Sequence, residues 1–237
     1  MPKLRFILLC VVSMTAIGAV ASTSASAAAQ SYWACQNVGL HKGHWKNAHC
    51  SERGGNEEWD TVAITETRFE GTSGTSKLES GIAGEKLSIE CLKSTTKGTL
   101  KTAGTSEGEV RFKECKIFNG HHELLVNCKA KEPIEFKFTD QLIQNALGEV
   151  EDEFKPTQPE ETFVELTIEG LLCAVKFTNL KVKGTQTCEL PSAELALQTH
   201  TIVCTSAGSK LKLGKEEATF TSTQKVNLAS GLLWGAV

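Results

Sequence analysis

The sequence predicts an all-β fold, an antiparallel β-sandwich or flattened β-barrel preceded by a small disulfide-linked N-terminal module. Three observations carry this. Short runs alternate apolar and polar residues, glycine, asparagine and serine turns separate the runs, and the cysteines are spread along the chain instead of gathering in one finger-like motif. Strict alternation gives a strand one buried and one solvated face, the signature of antiparallel sheets. Helical periodicity is nearly absent, the one candidate being Gln141 to Leu147.

The chain begins with a targeting pattern. Lys3 and Arg5 form a basic start, Phe6 to Val20 is an apolar run of about 15 residues, and a small-residue tract follows from Ala21 to Ala29. This is the pattern of a secretory signal peptide over 1–29, with Ala25-Ser26-Ala27 or Ala27-Ala28-Ala29 as the cleavage site. The run falls short of the roughly 20 residues that span a bilayer, so no membrane span is expected after cleavage. Leu9 before Cys10 argues against lipid modification there.

From 30 to 60 the composition is distinct. This stretch holds Tyr32, the only tyrosine, together with Trp33, Trp45 and Trp59, three histidines and the close pair Cys35 and Cys50. Between Asp60 and Leu233 there is neither Trp nor Tyr. There the alternating runs are Lys86–Leu92, Glu109–Lys113, Pro133–Phe138, Phe163–Ile168, Ala174–Phe177 and Ala218–Thr221. About ten short strands are expected over 61–237, the number of a sandwich or barrel. Segments around Cys91 and Cys204 echo each other, and the acidic stretch 148–162 reads as an exposed loop joining two pseudo-repeated halves.

Cleavage would remove Cys10 and leave eight cysteines, an even number that reads as four disulfides in an exported chain. Cys35 with Cys50 and Cys115 with Cys128 are near neighbours, the second pair flanking an Asn119-Gly120 turn. For the other four, Cys173–Cys188 with Cys91–Cys204 is preferred because it ties the echo segments together; the alternative is Cys91–Cys173 with Cys188–Cys204.

The motifs Tyr32-Trp33-x-Cys35, Gly54-Gly55-x-Glu57-x-Trp59, Ile89-x-Cys91, Phe112-x-x-Cys115 and Ser209-Lys210-Leu211-Lys212 resemble those of uncharacterised secreted proteins that occur in many copies in some soil actinobacteria. The similarity covers most of the mature chain. It implies export, a disulfide-held β fold and a surface or extracellular role, and it brings no known activity.

Several chemistries are weighed and set aside. Losing Lys3 and Arg5 leaves 23 basic against 28 acidic residues, a net charge of −5 without a basic stripe, which disfavours nucleic acid. His41, His44 and His49 beside Cys35 and Cys50 have the residue types of a metal site, but an oxidising compartment uses such cysteines as a disulfide, and no metal or cofactor is expected. Gly104-Thr105-Ser106-Glu107-Gly108 matches the nucleophile elbow of serine hydrolases, yet a strand pattern follows where a helix is required, so it reads as a turn. Asp60, Asp140 and Asp152 are the only aspartates, and nothing in the sequence singles out a catalytic pair of acids.

The expectation is a secreted, non-catalytic structural or binding protein of the cell envelope or extracellular space, meeting an envelope polymer or a protein partner through Tyr32, Trp33, Trp45 and Trp59. Broad, rigid, amphipathic rings suit that contact, although in so small a module they also serve as a mini-core. The alternative is a secreted hydrolase with a non-standard site acting on envelope glycan or peptide.

Overall fold

The computed structural model describes residues 30–82, 84–158 and 161–237, so the segment 1–29 expected to be a signal peptide lies outside the described residues. The chain is all-β and antiparallel. Its strands begin with β1 (Tyr32–Asn37), β2 (Gly43–Trp45), β3 (Arg53–Glu57), β4 (Trp59–Ala63), β5 (Glu66–Ser73), β6 (Ser76–Ile82), β7 (Glu85–Lys101) and β8 (Thr105–Asn119). They continue with β9 (Lys129–Ala130), β10 (Ile134–Gln144), β11 (Val150–Pro156), β12 (Thr162–Glu169), β13 (Phe177–Glu189), β14 (Thr199–Leu213), β15 (Glu216–Leu228) and β16 (Trp234–Ala236).

The large sheet closes on itself. Its path runs β11-β10-β8-β7-β5-β15-β14-β13, and β11 pairs with β13 as well as with β10. β5 and β6 share one position in the ring, each pairing with both β7 and β15. The result is a flattened barrel whose facing walls pack like the layers of a sandwich. Closure removes the unpaired edges that an open sheet would present. β12 pairs with the start of β13 and with β9, and it meets β10 through side chains, Phe163 against Phe136 at 5.2 Å between ring centroids.

Period-two alternation sorts each strand. Ser94, Thr96 and Leu100 of β7 and Ser106, Val110 and Phe112 of β8 point inward. Their outward neighbours form cross-strand pairs such as Lys97–Glu109 at 3.0 Å and Lys101–Glu107 at 2.6 Å. Exposed pairs of this kind contribute little each, and the energy lies on the inner face.

There Gly98 and Gly108 stand directly opposite each other, and the rings of Phe69 and Phe138 lie where their Cβ atoms would be. A Cβ on Gly98 would come within 2.6 Å of Phe69 and one on Gly108 within 2.7 Å of Phe138. The glycine pair thus makes room for two buried phenylalanines.

The eight cysteines among the described residues all form disulfides, in a pattern that departs from the expected one. Cys35–Cys50 is formed as expected. Cys115 bonds Cys91, not Cys128, and Cys128 bonds Cys173, so neither Cys173–Cys188 nor Cys91–Cys204 exists. Cys188–Cys204, from the alternative scheme, does. The reason is register: Cys91 sits opposite Cys115 on β7 and β8, and Cys188 opposite Cys204 on β13 and β14, with Cα atoms 3.9 and 4.2 Å apart.

Three further expectations are corrected. The acidic stretch 148–162 is not a loop throughout, because Val150–Pro156 within it is the closing strand β11, with Asp152 turned inward and Glu151 and Glu153 outward. Gln141 to Leu147 is not helical. β10 runs through Gln144, and Asn145 then makes a tight turn by accepting the backbone N–H groups of Leu147 and Glu149 on its Oδ1. Ala174 to Lys176 is a turn beside the Cys128–Cys173 bridge, with β13 starting only at Phe177.

The small sheet has the order β16-β1-β4-β2-β3, so the module expected to end at residue 60 extends to Ala63 and takes in the C-terminal strand. β1 serves both units. Tyr32 and Ala34 join the barrel core, while Trp33 and Cys35 join a second cluster on the other face.

Alanine at Gly108 must displace the Phe138 ring or the carbonyl of Lys97. Gly108→Ala is therefore expected to lower stability by about 1–3 kcal/mol, the usual cost of overpacking. Urea unfolding checks this, and an unchanged midpoint would contradict the packing described.

Candidate functional site

Three places in the molecule bear on function: the seam between the small sheet and the barrel, the outer face of the small sheet, and the barrel interior.

At the seam, polar groups are sealed in. Tyr32 donates its phenol hydrogen to Asp152 Oδ1 at 3.2 Å, and Ser106 donates to Asp140 Oδ2 at 2.6 Å. All four side chains are buried, Tyr32 and Asp152 at 2% exposure each. Burial pushes the Asp140 carboxyl up to about 6, against the pull of the Ser106 and Tyr32 hydrogen bonds. Burial, and then the neighbouring Asp140, push Asp152 well above the usual carboxylate range. The Tyr32 phenol is raised too, by burial and by both carboxylates. A desolvated acid favours its neutral form, and two such acids side by side oppose double ionisation.

Trp234 and His200 complete the seam. The His200 ring, fully buried, donates from Nε2 to the Trp234 carbonyl at 2.7 Å and packs against the Trp234 ring at 4.3 Å. Burial lowers its pKa, which keeps it neutral. Tyr32 lies 6.0 Å from Trp234 on the same layer.

The sequence grouped Tyr32 with three tryptophans as contact residues, and the structure separates them. Tyr32 faces the barrel and has no surface to offer. Trp33, Trp45 and Trp59 lie together on the outer face, packed with Leu233 and Ala196 around Cys35–Cys50, and each stays partly exposed. Trp45 and Trp59 pair across β2 and β4, and the Arg53 guanidinium sits 5.2 Å over the Trp45 ring.

The histidines nearby have other uses. His41 Nδ1 is 3.1 Å from the Asn56 carbonyl and His44 Nδ1 is 2.9 Å from Asp60 Oδ2. Among the described residues no three His, Cys, Asp or Glu side chains converge as metal ligands. Ser106 of the Gly104–Gly108 motif starts β8 and is buried against Asp140.

The barrel interior holds a cavity of about 100 Å³ with an almost wholly apolar wall. Phenylalanines dominate it, and the disulfide-bonded Cys91, Cys188 and Cys204 also line it.

Sequence reasoning missed Asp140, Asp152, Ser106, His200 and Trp234. A signal was present for two of them. Phe138-x-Asp140-x-Leu142 and Val150-x-Asp152-x-Phe154 each place an aspartate at an inward position of a period-two run.

No helix among the described residues is long and apolar enough to cross a membrane. No family model, curated protein or solved structure matches the chain.

The aspartates set a pH dependence. With Asp140 at about 6 in the folded chain against an ordinary 3.8, the folded state holds a proton between those values that the unfolded state has lost. Its stabilising effect is full below about pH 4 and is lost as pH rises toward 6, with a limiting slope of about 1.4 kcal/mol per pH unit for one proton. Asp140→Asn keeps an acceptor for Ser106 and abolishes the titration. Urea unfolding from pH 4 to 7 is expected to show the variant gaining on wild type as pH rises, and a pH-independent difference would contradict the assignment.

Proposed function

We propose that the chain is an exported, disulfide-stapled binding protein of the cell envelope or extracellular space, without a catalytic role, that engages an envelope polymer or protein through its tryptophan face. The observation that carries this reading is the gathering of Trp33, Trp45 and Trp59 on one outer face, braced from behind by Cys35–Cys50. Indoles held rigid lose little entropy on contact, and their broad faces stack on sugar rings or anchor protein interfaces. Arg53 adds a cation and a fork of donors at the rim of the patch. The small sheet that presents these rings is seated on the barrel by its first and last strands, whose Tyr32, Ala34, Trp234 and Ala236 join the barrel core, which gives the platform a rigid mount. Four disulfides suit an oxidising compartment, and the basic, apolar and small-residue order of the first 29 residues supports export.

The purified mature protein is expected to be retained on insoluble cell-wall fractions. Trp45→Ala, and separately Arg53→Ala at an exposed position, should each weaken retention about tenfold, or ~1.4 kcal/mol, while far-UV circular dichroism stays that of wild type. Failure of wild type to bind, or equal retention of both folded variants, would overturn the reading.

A further inference from the structure

From the barrel interior we infer that the chain carries a second binding site, for a neutral apolar molecule of about single-ring size, independent of the tryptophan face. Six of the ten phenylalanines surround one cavity: Phe112, Phe136, Phe138, Phe154, Phe163 and Phe220. Several already meet edge to face, Phe136 with Phe163 at 5.2 Å and Phe138 with Phe154 at 5.1 Å, the geometry in which an added aromatic ring is also favoured.

The wall's polar side chains turn to protein partners. Thr96 donates to Gln224 Oε1 at 2.9 Å, Gln186 donates to the carbonyls of Thr187 and Thr205 and accepts from Ser209, and Ser76 pairs with Ser222 at 2.9 Å. A water needs two to four polar partners, so a space lined this way stays dry, and apolar cavities of roughly 150 Å³ hold benzene or xenon. At about 100 Å³ the barrel's cavity is smaller than that, which limits the guest to one ring at most. A charged or hydrogen-bonding molecule would be stripped of water without replacement contacts.

Access follows from the topology. β10 pairs with β8 and β11, and β12 with β13 and β9, so the boundary between β10 and β12 is held by side chains. Phe136 and Val110 line both the cavity and a depression on the outside that is bordered by Arg111, Glu135 and Lys137. Rotation of the Phe136 and Phe163 rings would join the two spaces without breaking a backbone hydrogen bond.

The test uses the whole mature protein with its disulfides intact and toluene as the probe, with phenol as the polar counterpart. Near-saturating toluene is expected to raise Tm by about 3–6 °C, the response of a chain of this size to a ligand tenfold above Kd. Phenol should give less than half of that shift. Val110→Phe, which fills the cavity, should abolish the toluene shift, and Leu166→Ala, which enlarges it, should increase the shift. Absence of any toluene effect on wild type, or an equal effect in Val110→Phe, would overturn the assignment.

Discussion

The pairing of the first and last strands, β1 with β16, is the contact on which the arrangement of the molecule depends. It brings Tyr32 opposite Ala236 and Ala34 opposite Trp234, and all four are buried against the barrel. Because successive strand residues point to opposite sides, the same pairing drives Trp33 and Cys35 outward. One strand therefore plugs the barrel with its even positions and builds the aromatic face with its odd ones. The seam's polar groups follow from this. Tyr32 brings a hydroxyl into the apolar layer, and Asp152 meets it.

Below the plug, closure through β11 decides what the interior can be. β11 satisfies both β10 and β13, so the ring has no free edge along that half. Along the other half β12, hydrogen-bonded to β13 and β9, meets β10 through side chains alone, and it is there that the phenylalanines concentrate. Two disulfides between directly opposed residues, Cys91–Cys115 and Cys188–Cys204, brace adjacent strands on two sides of the ring. Cys128–Cys173 ties the approaches to β9 and β13 at a distance of 45 residues in sequence, and each such bridge stabilises chiefly by restricting the unfolded chain.

Much of this was legible from alternation. Lys86–Leu92, Glu109–Lys113, Phe163–Ile168 and Ala218–Thr221 all lie in strands, and so does all but the first residue of Pro133–Phe138, because each carries apolar side chains at every second position. Cys35–Cys50 could be read from proximity alone. β11 escaped notice because an aspartate occupies one of its inward positions, and a run of acids looks solvated whatever its partner. The cross-strand bridges were hidden for a related reason. Nearness in sequence favoured Cys115–Cys128, whereas register placed Cys91 opposite Cys115, and register belongs to the assembled sheet. The aromatic face was half legible: composition located the rings, but only the pairing of β1 with β16 turned Tyr32 away from its neighbours.

The central claim is that the small sheet is an integral part of the barrel, seated by the first and last strands. All four tryptophans, Trp33, Trp45, Trp59 and Trp234, lie in that sheet, while most strand residues lie in the barrel. Urea unfolding followed at once by tryptophan fluorescence and by far-UV circular dichroism therefore reports the two parts separately. A seated sheet requires a single coincident transition, as expected of one cooperative unit. A fluorescence transition completed at lower urea, with the barrel signal still intact, would contradict the account.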